Sequence, residues 1–469
     1  MAIDRRAAVL ALPLLAACSL APAYRPPQVA VPAAYKEAPP AGWAEAVPAD
    51  ATPRGAWWLA YGDPVLNDLE ARADAASPTL AAALARYDAA RAQAGIAAAA
   101  LVPEVDGGAT VAHDRVSAHA PGNYLQRSTI SNPAVLDASL TYEIDLWGRV
   151  RNSVAQARAN ATASAQDLAS ARLSLQAAVA DSYVQLRGLD AQLDLLRGTV
   201  AAYEKAYRLT VTRHNGGIGA GMDVSRAKTT LDNAKAQVWD FTNQRAVVEH
   251  ELAALTGAVA SSFTLAPGRL PAAVPAFAPG VPSALLQRRP DVAAAERRVY
   301  AANAGIGVAR AALFPTVTLG LGAGWQGRAG DLINAPNGFW SLGPAALSMP
   351  FFDGGRRLAG VRLSRAQYDE IAADYRATVL AAFQQVEDGL AGMTNLASDA
   401  TNQRDAATAA ERTRDLAMIR YRDGATDYLE VVTAQTAALG AEQQAITVET
   451  NRMRSSILLV KALGGPVGG

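Results

Sequence analysis

The sequence predicts a mainly helical protein with a membrane β-barrel part, built twice from one unit: a β-hairpin followed by a long coiled-coil helix hairpin. Three observations predict it. The first is an internal repeat. Arg149, Arg213, Asp223, Val224 and Ala227 answer to Arg356, Arg420, Glu430, Val431 and Ala434, each pair 207 residues apart (356 − 149, 430 − 223). Thr212-Arg213-His214-Asn215-Gly216-Gly217 aligns without a gap with Ile419-Arg420-Tyr421-Arg422-Asp423-Gly424. A period this long marks a duplicated domain rather than a solenoid of short units. The second is apolar spacing of coiled-coil type, sustained far beyond an ordinary helix. The third is strict alternation of polar and apolar residues in short stretches ahead of each helical run.

Bulk composition narrows the class further. The 469 residues leave room for two to three domains, and 43 basic residues balance 43 acidic ones, so no nucleic-acid footprint is expected. Hydrophobic residues reach 51% while aromatics are 6%, with alanine supplying much of the difference. Alanine-rich stretches favour helices packed closely side by side. The single cysteine, Cys18, excludes disulfides within the chain and a thiolate zinc site. No metal or cofactor is expected.

Arg5-Arg6, the apolar run from Ala7 to Ala17, and Leu15-Ala16-Ala17-Cys18 read as a secretory signal over 1–17, too short to cross a bilayer. Its ending resembles a bacterial lipobox, which implies cleavage before Cys18 and lipid on that residue. Ser19 follows where an aspartate would retain a lipoprotein at the inner membrane, which favours the outer membrane. Acyl chains would contribute roughly 0.8 kcal/mol per buried CH₂. From 18 to 64 the chain is rich in Pro and Ala and reads as an extended tether lying on the rest. Ser77-Pro78 then opens a helix to about Leu101.

Two repeats follow, 65–270 and 271–469. In the first, strands are expected at about 104–115 and 136–146, with a long loop-like stretch between His119 and Pro133. In the second, Thr316, Thr318, Gly320, Gly322, Gly324 and Gln326 alternate with Val317, Leu319, Leu321, Ala323 and Trp325. That strand should span about 316–327. Its partner at about 341–351 is blurred by Pro344. Helices are expected at about 148–215 and 223–256, and again at 355–421 and 428–463. Leu175, Val179, Ser182, Leu186, Leu189, Leu193, Leu196, Val200, Tyr203 and Tyr207 keep a 4-3 spacing broken only by Ser182. Val224, Ala227, Leu231, Ala234, Val238, Phe241, Val248, Leu252 and Leu255 form the return seam, with Arg245 as its exception. From Gly148 to Tyr207 the first helix would already be about 90 Å long.

Strands of about ten residues, polar on one side and apolar on the other, suit a membrane barrel. One chain supplies four, which cannot close, and an open edge in lipid leaves backbone groups unpaired. Two copies would give eight strands filled by side chains; three give twelve, with room for water. A homotrimer is the least strained answer, its helices forming a twelve-helix tube below a twelve-strand barrel. Such a tube is a conduit.

At these residues the chain resembles the TolC-like outer-membrane factor family, in its NodT-type efflux lipoprotein branch. The resemblance is carried by Trp57-Trp58 with Asp63-Pro64, Leu285-Leu286-Gln287-Arg288-Arg289-Pro290-Asp291-Val292, Leu313-Phe314-Pro315, and above all Arg420-Tyr421-Arg422-Asp423-Gly424 followed by Asp427-Tyr428-Leu429-Glu430-Val431. It implies the exit duct of a tripartite efflux system: a homotrimer in outer-membrane lipid that meets a periplasmic membrane-fusion adaptor and, through it, an inner-membrane pump, RND-type by preference. It also implies a periplasmic gate at Arg420, Tyr421, Asp423 and Asp427, and adaptor contacts at Gly217, Ile218, Asp223, Val224, Gly424 and Tyr428. Family members often carry Asp where Thr426 stands here, and Arg213-His214-Asn215 replaces a more usual Arg-Tyr/Phe. The two turns are therefore expected to contribute unequally. A ring of carboxylates at Asp427 would favour cations.

Two motifs are decoys. Gly322-Ala323-Gly324-Trp325-Gln326-Gly327 spells a dinucleotide fingerprint but lies within an alternating strand, and His250-Glu251 lacks the second histidine of a metalloprotease helix. With no nucleophile elbow either, the chain does not read as an enzyme. The rival class, a periplasmic adaptor, would have one helix hairpin and no lipid-facing strands. A purely structural coiled coil leaves the amphipathic strands unexplained.

Overall fold

A computed structural model describes residues 19–37, 55–121, 123–124, 126–271, 274–275, 288–349 and 351–465. The signal segment 1–17, Cys18 and Leu285-Leu286-Gln287 lie outside the described residues. In chain order the elements are α1 (Pro64–Ala76), α2 (Pro78–Ala99), β1 (Glu104–Val111), β2 (Asp114–Val116), β3 (Thr129–Ser131), β4 (Pro133–Ile144), α3 (Arg149–Asn215), α4 (Gly221–Leu255), α5 (Pro290–Ala311), β5 (Thr316–Arg328), β6 (Gly338–Ser348), α6 (Arg356–Arg422) and α7 (Tyr428–Ala462). No described helix is long and apolar enough to cross a membrane.

The repeat is visible in the bounds. Both ends of α3 and α6 differ by 207 (356 − 149, 422 − 215), and so do both ends of α4 and α7 (428 − 221, 462 − 255). Upstream the offset is larger. α2 and α5 each have 22 residues and start on proline, 212 apart (290 − 78), as do β1 and β5 (316 − 104). The difference is absorbed in the hairpin connections. In the first repeat the strands are joined through a second small ladder, β2 with β3, pairing Asp114 to Ser131 and Val116 to Thr129. The loop expected there thus contains strand, and β1 stops at Val111 where alternation alone carried it to 115.

Contacts divide the chain into two compact units, and this division runs across both repeats. Among the described residues, one unit comprises those within 19–28, 86–165 and 294–375; the other comprises those within 29–85, 166–293 and 376–465.

The first unit holds an antiparallel sheet in the order β1-β4-β5-β6. Its register keeps the faces in phase. Val105 lies opposite Leu140, Leu140 opposite Leu321, and Leu321 opposite Leu342, an unbroken apolar row. One residue along, Asp106, Ser139, Gly322 and Ser341 make a polar row. In β6 the alternation changes parity: Trp340 and Leu342 are apolar at even positions, Ala345 and Leu347 at odd ones. A register shift between Leu319 and Leu321 inserts one extra residue on β6 at the Gly343-Pro344 step. Because a one-residue slip moves every later side chain to the other face, this bulge returns Ala345 and Leu347 to the apolar side. It also gives Pro344, which has no N–H to donate, a place outside the regular ladder.

The helix-to-strand junctions explain another motif. Phe314 stacks on Trp147 with ring centroids 4.7 Å apart, and the Trp147 indole donates to the Pro315 carbonyl at 2.8 Å. Arg149 pairs with Glu143 at 2.5 Å and Arg151 with Asp145 at 3.2 Å where β4 passes into α3.

The second unit contains the helix core. α1, absent from the sequence expectation, starts where Asp63 accepts from the amides of Val65 and Leu66 at 2.8 and 3.3 Å. It buries Leu66, Leu69 and Ala73 against Trp57, Tyr183, Leu186, Leu252 and Ile457. The 4-3 seam of α3 is its buried stripe: Leu175, Val179, Leu186, Leu193 and Leu196 are all in the core. Arg245, the break in the α4 seam, joins a buried ion cluster. It donates to Asp190 at 2.6 Å; Arg187 reaches the same carboxylate at 2.8 Å and the Ala266 carbonyl at 2.8 Å. The Gly268 amide adds a third bond to Asp190 at 2.9 Å. The Arg289-Pro290-Asp291 motif is architectural too. Arg289, 6% exposed, donates to the Ala462 carbonyl at the end of α7 and pairs with Asp291 at 2.6 Å. Burial works against the Asp291 carboxylate, but Arg289 prevails and holds it below its ordinary range.

Candidate functional site at the helix-hairpin turns

Both helix hairpins reverse in the second unit, and both use the same backbone device. After α3, Gly217 takes φ +76°, its amide bonds the His214 carbonyl at 2.9 Å, and the Ile218 amide bonds the Arg213 carbonyl at 3.0 Å. After α6, Gly424 takes φ +79°, with the matching bonds from Gly424 to Tyr421 at 3.0 Å and from Ala425 to Arg420 at 2.8 Å. These are Schellman turns, in which a left-handed glycine closes the last carbonyls of a helix. All of these positions are related by 207.

The side chains then diverge. α7 is capped by Asp427, which accepts from the Glu430 amide at 3.2 Å. At the equivalent start of α4 stands Ala220, with no side-chain cap. Arg420 pairs with Glu430 at 3.0 Å, and Thr426 also hydrogen-bonds that carboxylate. Both Arg420 and Glu430 are largely solvated, so this pair contributes little by itself. In the first turn the His214 ring meets the Gly219 carbonyl at 2.9 Å, and Asp223 faces Arg226 at 3.8 Å.

One residue ties the two turns together. Arg213 donates to the Tyr421 carbonyl at 2.5 Å and lays its guanidinium 4.5 Å from the Tyr421 ring centre. Tyr421 in turn meets Tyr428 edge-on at 5.2 Å. With Ala206, Ala227 and Val431, these rings form a small core shared by the ends of all four long helices. Burial raises the Tyr421 hydroxyl above its ordinary range, against the pull of Arg213 and with Asp223 adding to the rise. Tyr428 is raised further, by burial and then by Tyr421, Tyr203 and Asp223. Both hydroxyls are therefore neutral at physiological pH.

Of the expected gate residues, Arg420, Asp423 and Asp427 are exposed in the second turn, Asp423 beside Arg422 at 3.5 Å, whereas Tyr421 is buried. Of the expected adaptor contacts, Gly217, Ile218 and Gly424 are exposed, and Asp223 and Val224 are half-buried. Tyr428 is 1% exposed, so it supports the tip from within and offers no surface. Arg213 and Glu430 did not stand out as site residues in the sequence. The signal was present in Arg213, which shares its repeat position with Arg420.

The outer membrane efflux protein family matches residues 70–258 and 281–465. The chain belongs to that family. The toluene efflux pump outer membrane protein TtgC of Pseudomonas putida is 33% identical over 454 residues, covering 96% of this chain and 93% of the relative. The pyoverdine export outer membrane protein OpmQ of Pseudomonas aeruginosa is 32% identical, covering 99% and 97%. The crystal structure of a membrane protein from Pseudomonas aeruginosa superposes with a TM-score of 0.85 at 30% identity, over 95% of this chain and all of that one. This outer membrane efflux protein is accordingly an outer-membrane channel of an efflux system, a transport conduit and not an enzyme. Its helices belong to the long tunnel that the family extends into the periplasm.

Proposed function

We propose that the channel works as a homotrimer, that it is the exit duct of a tripartite assembly with a periplasmic membrane-fusion adaptor and an RND-type inner-membrane pump, and that lipid on Cys18 adds an anchor. One observation carries the trimer. The sheet ends at β1 and β6, and each pairs with a neighbour on one side only. In hydrocarbon those free edges need partners, and a closed ring of identical sheets supplies them. With four strands from each chain, three copies give a twelve-strand barrel wide enough for water. The polar row of Asp106, Ser139, Gly322 and Ser341 then lines the lumen.

Each repeat, 65–270 and 271–469, contributes one hairpin of barrel and one of tube. The exposed Arg420, Asp423 and Asp427 form the periplasmic constriction, with Tyr421 as their support. Gly217, Ile218, Asp223, Val224 and Gly424 meet the adaptor, and Tyr428 holds the tip in shape behind them. Cargo is small molecules chosen by the pump: relatives of similar identity are named for toluene and for pyoverdine, two unlike compounds.

Asp427 tests the constriction. Since its carboxylate caps α7, an alanine there would remove a helix cap as well as a charge, at about 1 kcal/mol. Asn caps equally well, so Asp427→Asn isolates the charge. We expect it to retain an SDS-resistant trimer in outer-membrane fractions and to lose cation preference in single-channel recordings. Unchanged selectivity would remove Asp427 from the constriction, and migration of the wild type as a monomer would overturn the trimer.

A further inference from the structure

α5 has two unlike sides. Asn303 donates to the Pro22 carbonyl at 2.9 Å and Arg310 to the Leu20 carbonyl at 3.2 Å, so the N-terminal arm lies along one of them. Two residues turn a helix by about 200°, which puts Gly305 on the side away from Asn303. Arg298, Ala302, Gly305 and Ala309 recur at 4-3-4 spacing and mark that second side. It is the floor of a cavity of about 650 Å³, walled by Gln156 and Asn160 of α3 and by Gln367, Glu370 and Asp374 of α6. Sites for small molecules commonly fall between about 300 and 1,000 Å³.

The sheet fixes where this cavity stands. α2 leads into β1, β4 into α3, α5 into β5, and β6 into α6. The strand order β1-β4-β5-β6 therefore sets α5 between α3 and α6, and the cavity lies within the protomer rather than at a seam between copies. An arm tied to lipid runs outside a closed tube, so the opposite side of α5 looks into the duct.

The room is specific to the second repeat. A Cβ on Gly305 would already approach the Gln156 amide at 3.3 Å, and the matching residue of α2 (305 − 212) is Gln93. Glu370 is unmatched as well: its counterpart in α3 (370 − 207) is Ala163, 2% exposed in the core. Glu370 is exposed and forms no ion pair with any described residue. Its neighbours three and four residues away are Ala366, Gln367, Ala373 and Asp374, so a like charge stands one turn on, which disfavours the helix. Among the lining residues Arg298 answers two carboxylates, Glu370 and Asp374, and one negative charge is left in excess. Arg298 lies 13 residues before the end of α5 (311 − 298) and Glu370 14 residues into α6 (370 − 356), each about 20 Å from the helix end that adjoins the sheet. Val308 and Ala309 lie within three residues of that end. The cavity is thus charged at one end and apolar at the other.

We propose that this groove is a binding site in the wall of the duct for organic cations with an apolar body. Glu370 holds the charge, and the body lies along Ala302, Gly305 and Val308 between the amides of Gln156 and Gln367. The proposal rests on the closed trimer and the lipid-bearing arm proposed above.

Tetraphenylphosphonium is the probe and naphthalenesulfonate, of opposite charge, its control. Full-length trimer is used in detergent for equilibrium binding and in planar bilayers for current. Wild type should bind the cation saturably, one per chain and more weakly as salt rises, and the bound cation should lower the single-channel current. Glu370→Gln keeps the shape and should weaken binding roughly fivefold. Gly305→Gln, which gives the second repeat the residue of the first, should fill the groove and abolish binding. Because Glu370 is exposed, its variant tests the site even if Gly305→Gln does not fold. A trimer that binds nothing saturably, or that binds the sulfonate equally, overturns the site. Binding unaltered in Glu370→Gln overturns the assignment of the charge, and binding with no effect on current overturns the place in the duct. Wild type that migrates as a monomer overturns the trimer and the lumenal groove with it, an outcome the gel alone distinguishes.

Discussion

Replacing Arg213 with methionine should loosen the periplasmic tip without unfolding it. Methionine keeps a long apolar stem to lie against the Tyr421 ring but has no donor for the Tyr421 carbonyl. A hydrogen bond from a charged group is worth about 1.5–3 kcal/mol, and a partly exposed cation–π contact adds about 0.5–1 kcal/mol. Against these stands the Arg213 Nε, which is buried without a hydrogen-bond partner and whose removal returns roughly 1–3 kcal/mol. The balance is a weakening of about 1 kcal/mol between the two turns, roughly a 5-fold rise in the population of separated tips. Purified Arg213→Met protein in planar bilayers should show more frequent and longer full-conductance openings than wild type. Tyr421→Leu leaves the carbonyl bond but takes the ring out of the core it shares with Tyr428, so it should loosen the tip at least as much. If Arg213→Met and wild type have the same conductance and open fraction, the Arg213 bridge does not hold the tip.

Asp190→Ala leaves Arg187 and Arg245 buried and facing each other, so the helix core should lose about 3–5 kcal/mol, seen as a lower thermal midpoint with the trimer otherwise intact. Glu70 is 1% exposed, with neither carboxylate oxygen hydrogen-bonded; burial, and then the nearby Asp74, pushes its pKa up to about 9. The folded protein thus holds a proton that the unfolded chain releases near pH 4.5. Stability falls as pH rises through that window, by up to about 1.4 kcal/mol per unit. Glu70→Gln should flatten this slope between pH 5 and 9, and an identical slope in a melting series would refute the assignment. Two left-handed glycines should respond unequally to alanine. Gly424→Ala meets open space and should cost about 1–2 kcal/mol of backbone strain. Gly257→Ala would put its Cβ 2.3 Å from the Ala76 carbonyl and should cost several-fold more in the same denaturation assay.

Much of this architecture is legible in the chain because it is periodic. The α3 seam from Leu175 to Tyr203 is read from its spacing, and burial follows because a 4-3 stripe has only one side to bury. The alternation of 316–327 is equally plain, as both faces of β5 meet different solvents. Legibility fails where a signal is short or compensated. α1 hides behind Asp63-Pro64, since thirteen residues carry too few turns to establish a period. β6 looks weak because its apolar positions change parity at Gly343-Pro344; only the pairing with β5 shows a bulge that reconciles them. Tyr428 reads as a surface contact beside a turn but is buried beneath it, and Arg213 reads as one half of a repeated pair.

For the long periodic segments, spacing alone states strand or helix, the apolar face, the hairpin turns, and that the unit occurs twice. Those properties follow from local spacing, which is kept at an offset of 207 residues in the long helices and of 212 upstream of them. Which copies of a repeated residue share a role depends on contacts between distant parts of the chain. Arg213 bonds a carbonyl of the opposite hairpin, whereas Arg420 meets Glu430 within its own. α5 holds the N-terminal arm, Asn303 donating to the Pro22 carbonyl at 2.9 Å, whereas α2, its counterpart, buries Leu80 in the helix core. Duplicated sequence has identical local physics, but a chain has one N-terminus and each turn has different neighbours, so partners far apart in sequence break the symmetry that spacing preserves.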